Sequence, residues 1–126
     1  MTPRGHVIRT ADYLLHILNA IDRIAGYVSK IDDAVSLEKE WMAQDAVIRQ
    51  IEIIGEAANK IAKSDPAFIG LHSEIAWDGI RGMRNKVIHD YFEVDIGLVW
   101  VVVRYELPKL ASQIKAILAS IPDRDS

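Results

Sequence analysis

Between positions 81 and 92 the chain reads Arg81-Gly82-Met83-Arg84-Asn85-Lys86-Val87-Ile88-His89-Asp90-Tyr91-Phe92. Three cations, an amide, an imidazole, a carboxylate and a phenol fall within this one span. Histidine is the side chain best suited to moving protons near neutral pH. A guanidinium binds a phosphate through paired hydrogen bonds and stabilises negative charge growing on it. Arg84 and His89 together are a minimal kit for cutting RNA without a metal. The ribose 2′-hydroxyl is the nucleophile, the imidazole transfers protons, and the guanidinium steadies the pentavalent phosphate.

Spacing constrains how such a pair can work. Residues five apart on a regular helix point roughly 140° from one another. Three arrangements resolve this for Arg84 and His89. The helix ends or distorts near His89, the two side chains line opposite edges of a groove, or the site forms across a symmetric dimer. On an unbroken helix Asn85 and His89, four apart, nearly align, so Asn85 is a candidate to orient the imidazole. Arg84 and Tyr91, seven apart, would also share a face.

The elements that must position these residues are helical. Leu14, Ile17, Leu18, Ile21, Ile24, Ala25 and Val28 recur at three- and four-residue spacing, which predicts a helix from about Thr10, as N-cap, to Val28. Residues 29–36 read as a loop. A second helix is expected from Ser36, with Val47, Ile51, Ile54, Ala58, Ile61 and Ala62 as its core stripe. Gly55 lies on or beside that stripe, at a cost of about 1 kcal/mol relative to alanine. Close approach of a neighbouring helix would compensate. Ser64-Asp65-Pro66 ends this helix, because a residue before proline disfavours helical backbone. Positions 66–76 form a connector with room for one short helical turn. A third helix is expected from Trp77 to about Tyr91. A fourth runs from an Asp95 N-cap to about Ser120, its buried side marked by Leu98, Val101, Val102, Tyr105, Leu110, Ile114, Ile117, Leu118 and Ile121. Pro108 should kink or break it. Val99 to Val103 has strand propensity, but no partner strand is evident. The expected fold is all-α, an antiparallel bundle of four to five helices, with residues 1–126 forming one domain.

Composition narrows the function classes. The chain has 126 residues, half of them hydrophobic, and no cysteine. A disulfide framework and a thiolate zinc site are therefore impossible. The longest apolar run, Leu98 to Val103, is far short of a membrane span, which takes roughly 18 residues. No apolar leader is visible at Met1 to His6. A soluble, cytoplasmic protein is expected. The net charge of −3 argues against non-specific nucleic-acid binding over the whole surface but leaves room for the local cluster Arg81, Arg84 and Lys86. No two histidines have metal-ligand helix spacing, so neither a metal nor a cofactor is expected.

Other polar and aromatic residues read more plainly. His16 with Arg23 and Tyr27 falls away from the main apolar stripe, on a solvated face that could flank a groove. His6 and His72 read as surface residues. Glu56 and Asn59 are placed either to bond Arg84 or Asn85 or to form structural bridges. Trp41, Trp77 and Trp100 read as core or dimer anchors. Trp77 stands close enough to the motif to be a candidate for stacking on RNA.

Several groups of residues together resemble the HepT-like family of the HEPN superfamily. They are Ile53-Ile54-Gly55-Glu56-Ala57-Ala58, Gly82-Met83-Arg84-Asn85, Ile88-His89-Asp90-Tyr91-Phe92 with Val94-Asp95, then Val99-Trp100 and Leu107-Pro108. The resemblance runs from Arg9 to about Ile117. It implies a HEPN-type helical bundle acting as a homodimer, and a metal-independent ribonuclease toxin of the HEPN/minimal nucleotidyltransferase type. Arg84 and His89 would be the catalytic pair. Tyr91 would complete an Arg-x4-His-x-Tyr motif and accept AMP from a minimal nucleotidyltransferase antitoxin of the MntA kind. The added bulk and negative phosphate beside Arg84 would close the RNA site. Asp90 departs from the small residue that many relatives carry there. A carboxylate at that position would favour a protonated His89 and repel an RNA phosphate. The alternative is a non-catalytic module that binds a nucleotide or docks a nucleotidyltransferase.

Overall fold

The computed structural model describes the backbone of residues 3–90 and 93–121 and the side chains of residues 9–88 and 93–121. Helices dominate: α1 (Pro3–Tyr27), α2 (Ala34–Glu38), α3 (Trp41–Ser64), α4 (Pro66–Leu71), α5 (Trp77–Arg81), α6 (Met83–Val87), α7 (Ile96–Val101) and α8 (Leu107–Ser120). A π turn, Val102–Glu106, joins α7 to α8. Two short strands, β1 (Ile88–Asp90) and β2 (Glu93–Val94), pair antiparallel. The all-helical class is as expected; the small hairpin is an addition that periodicity did not reveal.

One apolar core binds the helices. The repeats on α1 and α3 bury Leu14, Ile17 and Ile24 against Val47, Ile51, Ile54, Ala58 and Ile61. Those two helices make the most extensive packing in the molecule. Leu107, Leu110, Ile114 and Ile117 of α8 join that core, as do Leu37 of α2, Trp77 and Ile80 of α5, Met83 and Val87 of α6 and Val99 of α7. Burial of the apolar stripes is the principal stabilising term, at about 25 cal/mol per Å² of apolar surface.

Helix boundaries shift where side chains act at a distance. Helix α1 begins at Pro3, so Thr10 lies inside it rather than capping it. The Thr10 hydroxyl, almost fully buried, instead donates to Asp65 Oδ2 at 2.8 Å. The other oxygen of Asp65 accepts the Phe68 N–H, capping α4. One carboxylate thus ties α1 to the turn between α3 and α4. The helix expected to start at Ser36 is instead two. Asp33 caps the short α2 by accepting the Ser36 N–H at 2.8 Å, and that bond holds the Asp33 carboxyl below its ordinary pKa. The main helix, α3, then starts at Trp41. The short helical turn expected after Pro66 is α4.

The fourth helix starts where expected. Asp95 caps it by accepting the Leu98 N–H at 3.1 Å. Pro108 neither breaks nor ends it. A proline ring collides with the carbonyl four residues back, here that of Arg104. The π turn immediately before Pro108 opens the backbone, with the Leu107 N–H donating to the Val102 carbonyl five residues earlier. That extra residue also rotates the buried face. Val99, Val102, Val103 and Leu107 are buried, whereas Val101 and Tyr105, expected in the core, are 42% and 67% exposed. The Val99–Val103 run stays helical.

Gly55 sits where expected, against a neighbouring helix. A Cβ there would lie 3.5 Å from the backbone carbonyls of Ile80 and Arg81, at the end of α5. This is ordinary van der Waals contact, so a methyl fits and a branched side chain does not. Gly55→Ala should therefore leave the fold intact and raise stability by up to about 1 kcal/mol through helix propensity. Gly55→Val should destabilise by pushing α5 away. Thermal melts of the two variants check the contrast; a loss of stability in Gly55→Ala would mean that the contact is tighter than this geometry.

Candidate active site

The chain that carries the motif does not remain helical. The expected single helix from Trp77 to Tyr91 is divided at Gly82 into α5 and α6 and stops at Val87. Ile88 is already extended, with φ −117° and ψ 113°. Ile88 pairs with Val94 and Asp90 with Glu93, with a register irregularity between them. The Asp95 N–H donates to the Val87 carbonyl at 2.8 Å and closes the base of the hairpin. Of the three arrangements open to Arg84 and His89, the backbone shows the first: the helix ends between them. The alignments argued for Asn85 with His89 and for Arg84 with Tyr91 needed an unbroken helix, which is absent. The side chains of His89 and Asp90, and Tyr91 and Phe92 altogether, lie outside the described residues.

Arg84 stands on the exposed side of α6, facing α3. Its Nε lies 3.4 Å from Glu52 Oε2, and its Nη1 donates to Asn85 Oδ1 at 3.4 Å. Both partners of the Arg84–Glu52 pair keep more than 40% of their side-chain surface in water. Such a pair contributes at most about 1 kcal/mol, so an incoming anion can displace Glu52. Arg81 lies alongside, donating from Nε to Asn59 Oδ1 at 3.2 Å, with Asp78 3.7 Å from its Nη1. An open groove of about 380 Å³ runs between α3 and α5–α6, lined by Glu52, Gly55, Glu56, Asn59, Arg81, Arg84 and Asn85.

Lys86 does not join this cluster. Two residues along a helix is over half a turn, and its Nζ reaches Glu106 Oε2 on the π turn at 3.3 Å. Asn59 acts as a partner for Arg81 rather than for Arg84 or Asn85. The carboxylate on Arg84 is that of Glu52, one turn before Glu56. Sequence reasoning passed over Glu52. The signal available was its position four residues from Glu56, hence on the same face of α3.

Trp77 cannot stack on RNA. It is 5% exposed, donates from its indole to the His72 carbonyl at 2.9 Å and meets Phe68 edge-on. His72 is half-buried against Phe68, with its Nδ1 3.2 Å from Glu74 Oε2, so it is a structural residue rather than a free surface one. Trp100 and Val103 face inward, toward a pocket between α1 and the π turn that shares no residue with the motif. The exposed large apolar side chains are others, among them Val35, Trp41, Met42, Val101 and Tyr105. Among the described residues, no group of three or more His, Asp or Glu side chains is disposed to hold a metal ion. None of the described helices is long and apolar enough to cross a membrane.

Comparison with known proteins places this chain in a family. A protein of Caldanaerobacter subterraneus subsp. tengcongensis, named "Putative RNase TTE0752", is 38% identical over 84% of this chain and 91% of its own length. The "Probable ribonuclease HepT" of Thermococcus cleftensis is 38% identical over 84% of this chain and 93% of its own. A Methanocaldococcus jannaschii protein named "Gamma-glutamylcyclotransferase and putative RNase MJ0434" is 40% identical over 86% of this chain. The matched segment there is 47% of the longer protein. No solved structure matches. Residues 17–117, which include α3 with Glu52, the motif from Arg81 to Phe92 and most of α8, match the family described as Ribonuclease HepT-like, and the chain belongs to that family.

Proposed function

We propose that this protein is a metal-independent endoribonuclease, the toxin of a HEPN/minimal nucleotidyltransferase pair, with Arg84 and His89 as its catalytic residues. The observation that carries the reading is the exposed guanidinium of Arg84 over an open groove, on a helix that stops just before His89, in a chain of the Ribonuclease HepT-like family.

The chemistry is a transesterification. His89 takes the proton of the ribose 2′-hydroxyl as that oxygen attacks the adjacent phosphorus. The bond to the 5′-oxygen breaks, and that oxygen leaves with a proton taken from water, while His89 returns its own to the solvent. A 2′,3′-cyclic phosphate remains on one fragment and a 5′-hydroxyl on the other. Arg84 exchanges its weak surface bond to Glu52 for the phosphate, whose charge peaks in the transition state. Asn85, bonded to Arg84, supports its orientation. The enzyme works as a homodimer. Its antitoxin, a minimal nucleotidyltransferase of the MntA kind, silences it by transferring AMP to the Tyr91 phenol, adding bulk and negative charge to the motif.

The test is incubation of the purified chain with total cellular RNA in EDTA. Cleavage leaving cyclic-phosphate ends supports the reading. Intact RNA, with protein shown to be folded, dimeric and unmodified at Tyr91, overturns it in favour of a module that only binds a nucleotide or docks its partner. Glu52→Gln probes the competition at Arg84. Removing the carboxylate frees the guanidinium and takes a negative charge away from the phosphate position. KM for RNA should fall by up to about fivefold, the equivalent of a surface ion pair, with little change in kcat or melting temperature. A tenfold loss in kcat would instead make Glu52 an aligning partner of Arg84.

A further inference from the structure

A second groove of about 390 Å³ lies on the other flank of α3, between it and α1. It shares Glu52 and Glu56 with the Arg84 groove, so these two residues form a low ridge with a groove on either side. The far groove is lined by Tyr13, His16, Arg49 and Lys60, among others. His16 is exposed, and the half-buried Tyr13 ring props it edge-on, with centroids 6.1 Å apart. Across the two grooves four cations, Arg49, Lys60, Arg81 and Arg84, face two carboxylates. Asp78 lies 3.7 Å from Arg81, so the lining and this neighbour together leave one net positive charge, against −3 for the whole chain.

Resting on the ribonuclease reading, we infer that the α1-side groove is a subsite for single-stranded RNA beside the scissile phosphate. His16 stacks on a base, and Arg49 and Lys60 contact the flanking phosphates. A propped, solvent-facing ring is the platform that an unpaired base uses, and every base offers a π face to it. From Arg49 to Lys60 the helix rises roughly 16 Å, enough to follow a few nucleotides. Along the ridge, Glu52 loses its partner once Arg84 turns to the scissile phosphate, and Arg49 and Lys60, which line the same groove, offset its charge. The Glu56 carboxylate accepts hydrogen bonds, so it suits a ribose hydroxyl or a base amino group crossing between the grooves. Duplex RNA presents no unstacked base to His16, so the subsite selects single strands.

Binding tests this without relying on cleavage. The probe is a fluorescent octanucleotide with 2′-O-methyl riboses, which lacks the nucleophile and cannot be cut. Fluorescence anisotropy is read for the full chain and for His16→Ala, Arg49→Glu and Lys60→Glu, with sedimentation of each variant. The inference expects His16→Ala to weaken binding by roughly five- to a hundredfold, the range for one stacked base. Each charge reversal should weaken it at least tenfold and flatten the salt dependence by about one phosphate contact. A blunt-ended duplex probe should bind more weakly than the single strand. Unchanged affinity in all three variants overturns the inference. So does loss of a dimer with RNA affinity retained, because the face would then be a self-association surface. Wild type that binds the probe but leaves natural RNA intact would sink the ribonuclease reading and leave the subsite standing.

Discussion

His89→Ala should lower the rate of RNA cleavage by about two to four orders of magnitude, the span that a positioned general acid–base supplies. Arg84→Ala should lower it by about two to three orders, as loss of one preorganised donor to a transition-state oxyanion does. Arg84→Lys should recover only part of that loss. An ammonium keeps the charge but not the two-pronged geometry that a phosphate meets in a guanidinium. Single-turnover rates on a defined RNA in EDTA read all three, with circular dichroism to show that the helices persist. Folding should be little affected by the arginine changes, because Arg84 is exposed and its bond to Glu52 is a surface pair. The double variant should be scarcely slower than the worse single one, as expected of two residues that serve one transition state. If the His89 variant cleaved at the wild-type rate, the catalytic assignment would be wrong and a contaminating nuclease the first suspect.

Ile54→Ala should have the largest effect on stability. Ile54 is fully buried in the core of α3, beside the Gly55 contact with α5. Removing its outer carbons from a packed interior leaves a cavity as well as losing burial, at a cost of about 2–5 kcal/mol. That is a large share of the 5–15 kcal/mol that holds a typical domain folded. Ile54→Val should cost about 0.5–1.5 kcal/mol. Urea titration distinguishes them: the midpoint should fall in that order with little change in slope. A loss below 1 kcal/mol for the alanine variant would show that the α3 interface collapses around the gap. The consequence for the site is direct, because α3 carries Glu52, Gly55, Glu56 and Asn59 along the groove under Arg84.

Much of the scaffold was written in local pattern. The three- and four-residue recurrence from Leu14 to Ile24 and from Val47 to Ile61 names two core faces that are buried in the structure. Asp95 as a cap, the stop at Asp65-Pro66 and the short α4 follow from backbone chemistry within a few residues. The motif was legible for the same reason: its residue types stand close in sequence, and the surrounding groups of residues resemble a family to which the chain does belong.

What the tertiary structure decided lies where distant groups compete for one segment. Residues 88–90 and 93–94 pair as strands because the backbone bonds of β1 with β2, and of Asp95 with Val87, outweigh a helical continuation that local spacing also permits. The π turn before Pro108 places Leu107 in the core at the cost of exposing Tyr105, a choice that depends on what α7 and α8 pack against. Thr10 bonds Asp65 across fifty-five positions, and Trp77 is sealed under Phe68 rather than left open to a base. Glu52 meets Arg84, while Lys86 turns away to Glu106, because the direction of a side chain is fixed only once its helix has been docked. Sequence alone therefore supplied the candidates for the chemistry and determined which faces had to be buried. Only the packed chain decided which side chains meet, because contacts between remote segments depend on how helices dock, and helical period carries no information about that.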